Sequence, residues 1–204
     1  MPTLSLDVGL SGYRSWGDPM KLKLLALAGV AMSLAACETT TSYPYQPSTQ
    51  NVMAFQSALK PSNTKVQLGA FTRAAEINTT PACRMMGPVD VAPGKTVETY
   101  LRDAFQAELF QAGVLDASNG AVVTGSLDAL DLNSFGTGNW SMTLTLKSNL
   151  DQTGYQVSNS YPFSSSFSAV SACNNAAAAF GPAVNDLIGK AIADPGFKRI
   201  TGAR

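Results

Sequence analysis

The chain has 204 residues, with 14 Lys and Arg balanced by 14 Asp and Glu, and it contains no histidine. Zero net charge supplies no basic field for nucleic acid, and the missing imidazoles remove the commonest near-neutral general base and the commonest metal ligand. Charged residues make up only 14% of the chain, so its polarity rests on 56 Ser, Thr, Asn and Gln residues.

Met20-Lys21-Leu22-Lys23 forms a short positive region, Leu24 to Leu34 carries no charge, and Ala35-Ala36-Cys37 follows. This is the pattern of a secretory signal, too short and wrongly flanked for a membrane-spanning helix. Its last four residues, Leu34-Ala35-Ala36-Cys37, resemble the lipobox of bacterial lipoproteins. The resemblance implies a diacylglyceryl group on the Cys37 thiol, cleavage before Cys37 and acylation of the new amine. Two or three acyl chains anchor stably where one is marginal. Glutamate at position 38 implies, within the same resemblance, the outer membrane, with the inner one still open. Residues 1–19 contain Asp7, Arg14 and Asp18, which would spoil the signal, so they read as a misassigned upstream start and 20–36 as the signal peptide. The mature chain then holds 12 acidic and 11 basic residues, a balance without electrostatic grip on phosphates.

Residues 37–51 read as a lipidated polar tether. Pro44 and Pro47 interrupt a stretch with no apolar period, which would extend on the order of 40 Å from the membrane. Tyr43 and Tyr45 are candidates for the lipid interface. A single domain is expected over 52–204. Its first elements are a short helix from Val52 to Leu59, ended by Pro61, and a half-buried strand from Lys65 to Phe71. A loop dense in Pro and Gly follows over 78–94. From Thr96 to Ala112, Val97, Leu101, Phe105 and Leu109 recur every fourth residue, with Arg102, Asp103 and Glu108 largely off that face and Gly113 as the cap.

Three strands come next. Ala121 to Leu132 is apolar enough to be central, with Gly125 marking a weak point or bulge. Trp140, Met142, Leu144 and Leu146 alternate with Ser141, Thr143, Thr145 and Lys147, giving one buried and one wet face. Tyr155 to Ala169 alternates through Val157, Tyr161, Phe163 and Phe167, and Pro162 requires an edge or a bulge. Short connections predict antiparallel hairpins. A last helix spans about 175–193, with Phe180, Val184, Leu187, Ile188 and Ala191 on one face and Pro182 either opening or kinking it. Strand, helix, three strands and helix predict a two-layer α+β domain, its sheet mostly antiparallel and its helices on one face. A right-handed crossover places the first strand parallel to the second.

Cys83 and Cys173 remain once Cys37 is acylated, and export places them in an oxidising compartment. A disulfide between them would clamp the starts of both main helices. Redox catalysis lacks a C-x-x-C spacing, and zinc lacks histidine, so no metal or cofactor is expected. Asp128 and Asp131 stand three apart on a strand and face opposite sides, reading as exposed polar groups rather than an acid/base pair. Lys147-Ser148 and Ser164-Ser165-Ser166 match neither G-x-S-x-G nor S-x-x-K, so no catalytic residue is assigned. Gly136-Thr137-Gly138 reads as a turn. Trp140, Leu144 and Phe163 could line an apolar face for a ligand or partner, although a stripe at strand period is more often plain core.

The layout resembles small envelope lipoproteins of the YajG type and auxiliary lipoproteins of envelope transport systems. That resemblance implies a non-enzymatic protein held at the membrane through Cys37, binding a protein partner or supporting an envelope assembly, with no nucleic acid. The alternative is a periplasmic module for a lipid or small apolar ligand, for which a cavity beside Trp140, Leu144 and Phe163 would speak.

Overall fold

The computed structural model describes residues 40–84 and 86–204; the signal peptide and Cys37 lie outside them. The elements run β1 (Thr40–Thr41), α1 (Thr49–Leu59), β2 (Val66–Arg73), β3 (Ala82–Cys83), β4 (Gly87–Asp90), α2 (Val97–Ala112), β5 (Ala121–Asn133), β6 (Gly138–Ser148), β7 (Tyr155–Phe163), α3 (Ala169–Ala193) and α4 (Pro195–Thr201). The main sheet has the order β2-β5-β6-β7. β2 and β5 are parallel, as the crossover through α2 requires; β5, β6 and β7 are antiparallel neighbours joined by short turns. A second small sheet, β1-β4-β3, pairs β1 parallel and β3 antiparallel to β4.

Alternation decides which face of the sheet is covered. Val123, Leu127, Trp140, Met142, Leu144, Leu146 and Val157 are buried beneath the helices. On the other face Thr143 bonds Ser158, and Thr145 bonds Asp128, in a row of short polar side chains open to water. The fold is therefore α+β, with helices on one face of a mostly antiparallel sheet. Each buried aliphatic or aromatic side chain stabilises it by roughly 1.5–3 kcal/mol.

The helix α2 follows local rules. The Thr96 hydroxyl accepts from the Thr99 N–H (3.3 Å), Glu98 occupies the first turn, and Gly113 closes the helix at φ +70. Val97, Leu101, Phe105 and Leu109 are buried as the period predicts. Glu108 departs from expectation, for it is fully buried. Its position explains this: it lies three and four residues beyond Phe105 and Ala104, in phase with the apolar stripe.

Three further expectations are corrected. Residues 40–51 do not form a free tether: Thr40 and Thr41 pair with Val89 and Asp90, Ser42 is buried, and α1 already starts at Thr49. The last helix starts at Ala169, six residues before the expected 175, because the Ser168 hydroxyl accepts from the Ser171 N–H and caps it there. Pro182 consequently falls inside α3 on the exposed side, and does not open it. The strand from Tyr155 ends at Phe163, which leaves Phe167 fully exposed in the connection to α3. Finally, α4 is an additional element. Pro195 opens it, Asp194 caps it by accepting from the Gly196 N–H (2.7 Å), and Phe197 packs edge-on against Phe55.

Candidate functional site

Trp140 and Leu144 are both fully buried, so they line no open groove. The Trp140 indole donates to the Ala176 carbonyl (2.8 Å) and meets the Phe180 ring edge-on at 5.1 Å. Small residues at the start of α3 let that helix approach closely enough for this bond. Phe163 is partly buried and its ring lies over Gly138, where a Cβ would come within 2.4 Å of it. The three form core and sheet packing. The expected apolar ligand face is absent here because α3 covers it.

The hydroxyls and carboxylates singled out by sequence are also accounted for locally. Asp128 accepts from Thr145 and from Gln156 Nε2 (3.1 Å), while Asp131 stands apart and exposed. The Ser148 hydroxyl accepts from the Leu150 and Asp151 N–H groups and shapes the β6–β7 turn. Gly136 belongs to the β5–β6 turn, in which Asn133 Oδ1 accepts from the Phe135 N–H (3.0 Å). Among the described residues no group of three His, Cys, Asp or Glu side chains is placed to hold a metal ion.

Two polar clusters that sequence inspection passed over organise the molecule. The first holds the N-terminal strap, residues 40–48, against the helices. The Tyr45 hydroxyl donates to Glu108 Oε1 (2.5 Å) and meets Asn185 Oδ1. The Ser48 N–H donates to the same Glu108 oxygen (2.8 Å), and Asn51 Nδ2 donates to the Asn185 carbonyl (2.9 Å). Ser48 opens α1 without using its own side chain as a cap, and α1 has no acidic residue in its first turn. The carboxylate of Glu108, supplied by α2, therefore serves the electropositive start of α1. The Tyr100 hydroxyl adds a bond to the Tyr43 carbonyl (3.3 Å).

These phenols give the cluster a pH signature. Burial, then the Glu108 carboxylate, raises Tyr45 well above the ordinary tyrosine range. Burial pushes Tyr100 up to about 12. Burial and the nearby Asp194 carboxylate raise Tyr155, whose hydroxyl donates to the Ala191 carbonyl (2.7 Å). In the unfolded chain these groups lose their protons near pH ~10, while the folded chain retains them. The stability they contribute is complete below that pH and declines as pH rises through the folded values. Unfolding free energies from urea titrations taken upward from about pH 9 should fall above about pH 10, by up to ~1.4 kcal/mol per pH unit for each tyrosine. A flat profile across that range contradicts protected phenols.

The second cluster lies where the loops of the β5–β6 turn, the β3–β4 turn and the β7–α3 connection meet. The structure joins Cys83 and Cys173 by a disulfide with 5.7 Å between Cα atoms, tying β3 to the second turn of α3. Beside it Arg84 adopts φ +49, uncommon for a residue with a side chain. Its guanidinium donates to the Ser134 carbonyl (3.1 Å), the Phe167 carbonyl (3.2 Å), the Ser166 carbonyl (2.8 Å) and the Ser165 hydroxyl (3.1 Å). The same group stands 5.4 Å from the centre of the Phe135 ring. One side chain thus pins two loops, around a shallow cleft of about 480 Å³.

No protein-family model and no curated protein matches the chain. Among solved structures it is similar to a Xanthomonas campestris protein assigned to the family model DUF330, at 13% identity and a TM-score of 0.47, covering 80% of this chain and 92% of that one.

Proposed function

We propose that the protein is a lipid-anchored lipoprotein of the cell envelope, non-enzymatic, whose domain binds a protein partner or supports an envelope assembly or transport system. The observation that carries this reading is the Leu34-Ala35-Ala36-Cys37 motif directly after an uncharged run, three residues before the first strand of the domain. The disulfide agrees with it, since such bonds persist in oxidising compartments. Among the described residues no helix is long and apolar enough to cross a membrane, so attachment would rest on the lipid. The face of the main sheet away from the helices, rich in Ser and Thr, offers a partner a surface for short-range contact without long-range charge steering. The outer membrane is the favoured site, on Glu38.

Covered by α3, Trp140 and Leu144 give the small-ligand reading no entrance, and the partner reading leads for that reason. Substituting Cys37→Ser in the native host should move the protein from the membrane fraction to the soluble one and abolish incorporation of labelled palmitate. Retention of the variant in washed membranes, with label still incorporated, would refute lipidation at this cysteine.

A further inference from the structure

Two exposed aromatic side chains share one end of the domain. Phe167 is fully exposed and Phe135 is 64% exposed. Val170, three residues after Phe167 in the first turn of α3, is half exposed. Exposed phenylalanines are tolerable when scattered, but these two belong to loops that Arg84 holds together by four hydrogen bonds from its guanidinium. The Arg84 backbone, at φ +49, is itself in a costly conformation. Strain and a fully engaged guanidinium are therefore maintained where the result is two apolar rings facing outward.

Chain topology says what lies opposite them. β1 runs parallel to β4, with Thr40 paired to Val89. The N-terminal end of β1 therefore points the same way as the N-terminal end of β4, towards the turn that contains Arg84. Cys37 is three residues upstream of Thr40, and three extended residues span at most about 11 Å. The strap downstream of Thr40 is locked to the domain through Tyr45, Glu108 and Asn185, so no slack exists there. A lipid on Cys37 would bring this end of the molecule, and not another, to the bilayer.

We propose that the Arg84–Phe135–Phe167 end of the domain rests on the bilayer that holds the Cys37 lipid, with both phenylalanine rings in its interfacial layer. This inference rests on lipidation at Cys37. Amphipathic surfaces of this kind bury apolar groups roughly 5–10 Å into the headgroup and acyl boundary, and with two rings the contact orients the domain while the lipid supplies the affinity. The sheet face away from the helices is then held at a fixed angle to the membrane.

The test uses mature protein purified from membranes, with acylation read by intact mass, reconstituted into phosphatidylethanolamine–phosphatidylglycerol vesicles with or without brominated acyl chains. Phe135→Trp and Phe167→Trp each add one indole at the proposed contact. Phe110→Trp adds one at the C-terminal end of α2, which leads to the opposite end of the sheet and is 73% exposed. Relative to the parent, whose Trp140 is enclosed, the first two should show blue-shifted emission and lose most of the added signal to the brominated lipid; the third should show neither. Solvent-like, unquenched emission from Phe135→Trp and Phe167→Trp in acylated protein overturns the docking alone. Equal quenching of all three overturns it as well. A chain without acyl mass overturns the anchoring and the docking together.

Discussion

Replacing Cys83 and Cys173 together by alanine is expected to lower the unfolding free energy by about 2–5 kcal/mol. The bridge spans 90 residues and encloses β4, α2 and the whole β5–β6–β7 meander, so its loss enlarges the unfolded ensemble substantially. The native state also loses a local clamp. β3 contributes only Ala82 and Cys83, and its two pairings to Pro88 and Gly87 are too few to hold it. Hydrogen exchange should therefore rise first over residues 82–90 and the first turns of α3, before the main sheet is affected. Arg84 would lose its fixed starting point, and with it the bonds to Ser134 and Ser166. Urea unfolding of the oxidised parent and the double variant measures the effect. Superimposable midpoints would show that the disulfide contributes nothing to the fold.

Glu108→Ala should cost about 1–3 kcal/mol, because it removes the acceptor of the Ser48 N–H in a part-buried setting and leaves the Tyr45 hydroxyl with Asn185 Oδ1 as its acceptor. Both bonds meet at a single carboxylate oxygen. The damage should be directional. Residues 40–51 should lose exchange protection while β5 and β6 keep theirs, since the strap reaches the helices chiefly through this contact and the Asn185 pair, with Tyr100 adding one bond at the Tyr43 carbonyl. Tyr45→Phe should reproduce the same local loss at about 1 kcal/mol, having removed the hydroxyl that meets Glu108 and Asn185 and kept the ring against Tyr100. Unchanged exchange across 40–51 in both variants would mean that the strap is held by something else. Under the proposed lipidation of Cys37, this lock decides whether the domain hangs on a flexible spacer or is fixed close to its anchor.

The contrast between strap and sheet shows where sequence patterns carry information. Trp140, Met142, Leu144 and Leu146 announce a half-buried strand because period two is a property of the backbone alone. The α2 helix is equally legible, since Thr96, the four-residue period and Gly113 are all local signals. Nothing local marks residues 40–48. They have no apolar rhythm, and they are fixed by side chains about 60 and 140 residues away. Glu108 carried a readable signal in its helical phase, which its charge obscured. Its partners, the start of α1 and a phenol, exist only after folding. Asp194-Pro195 likewise contains the cap and first position of α4, but seven residues give too short a pattern to distinguish from a tail. Phe167 continued a period that Phe163 had already ended. The Arg84 knot is illegible for a simpler reason: most of its acceptors are backbone carbonyls, whose positions no residue identity encodes.

Anchoring through Cys37 is the claim on which envelope location, the meaning of the short strap and the membrane-facing loops all depend. Intact mass of the protein extracted from native membranes, with sequencing of its N-terminal peptide, tests it most directly. A chain beginning at Cys37 and carrying diacylglyceryl and amide-linked acyl mass is expected. A chain that retains residues upstream of Cys37, with that thiol unmodified, would contradict it.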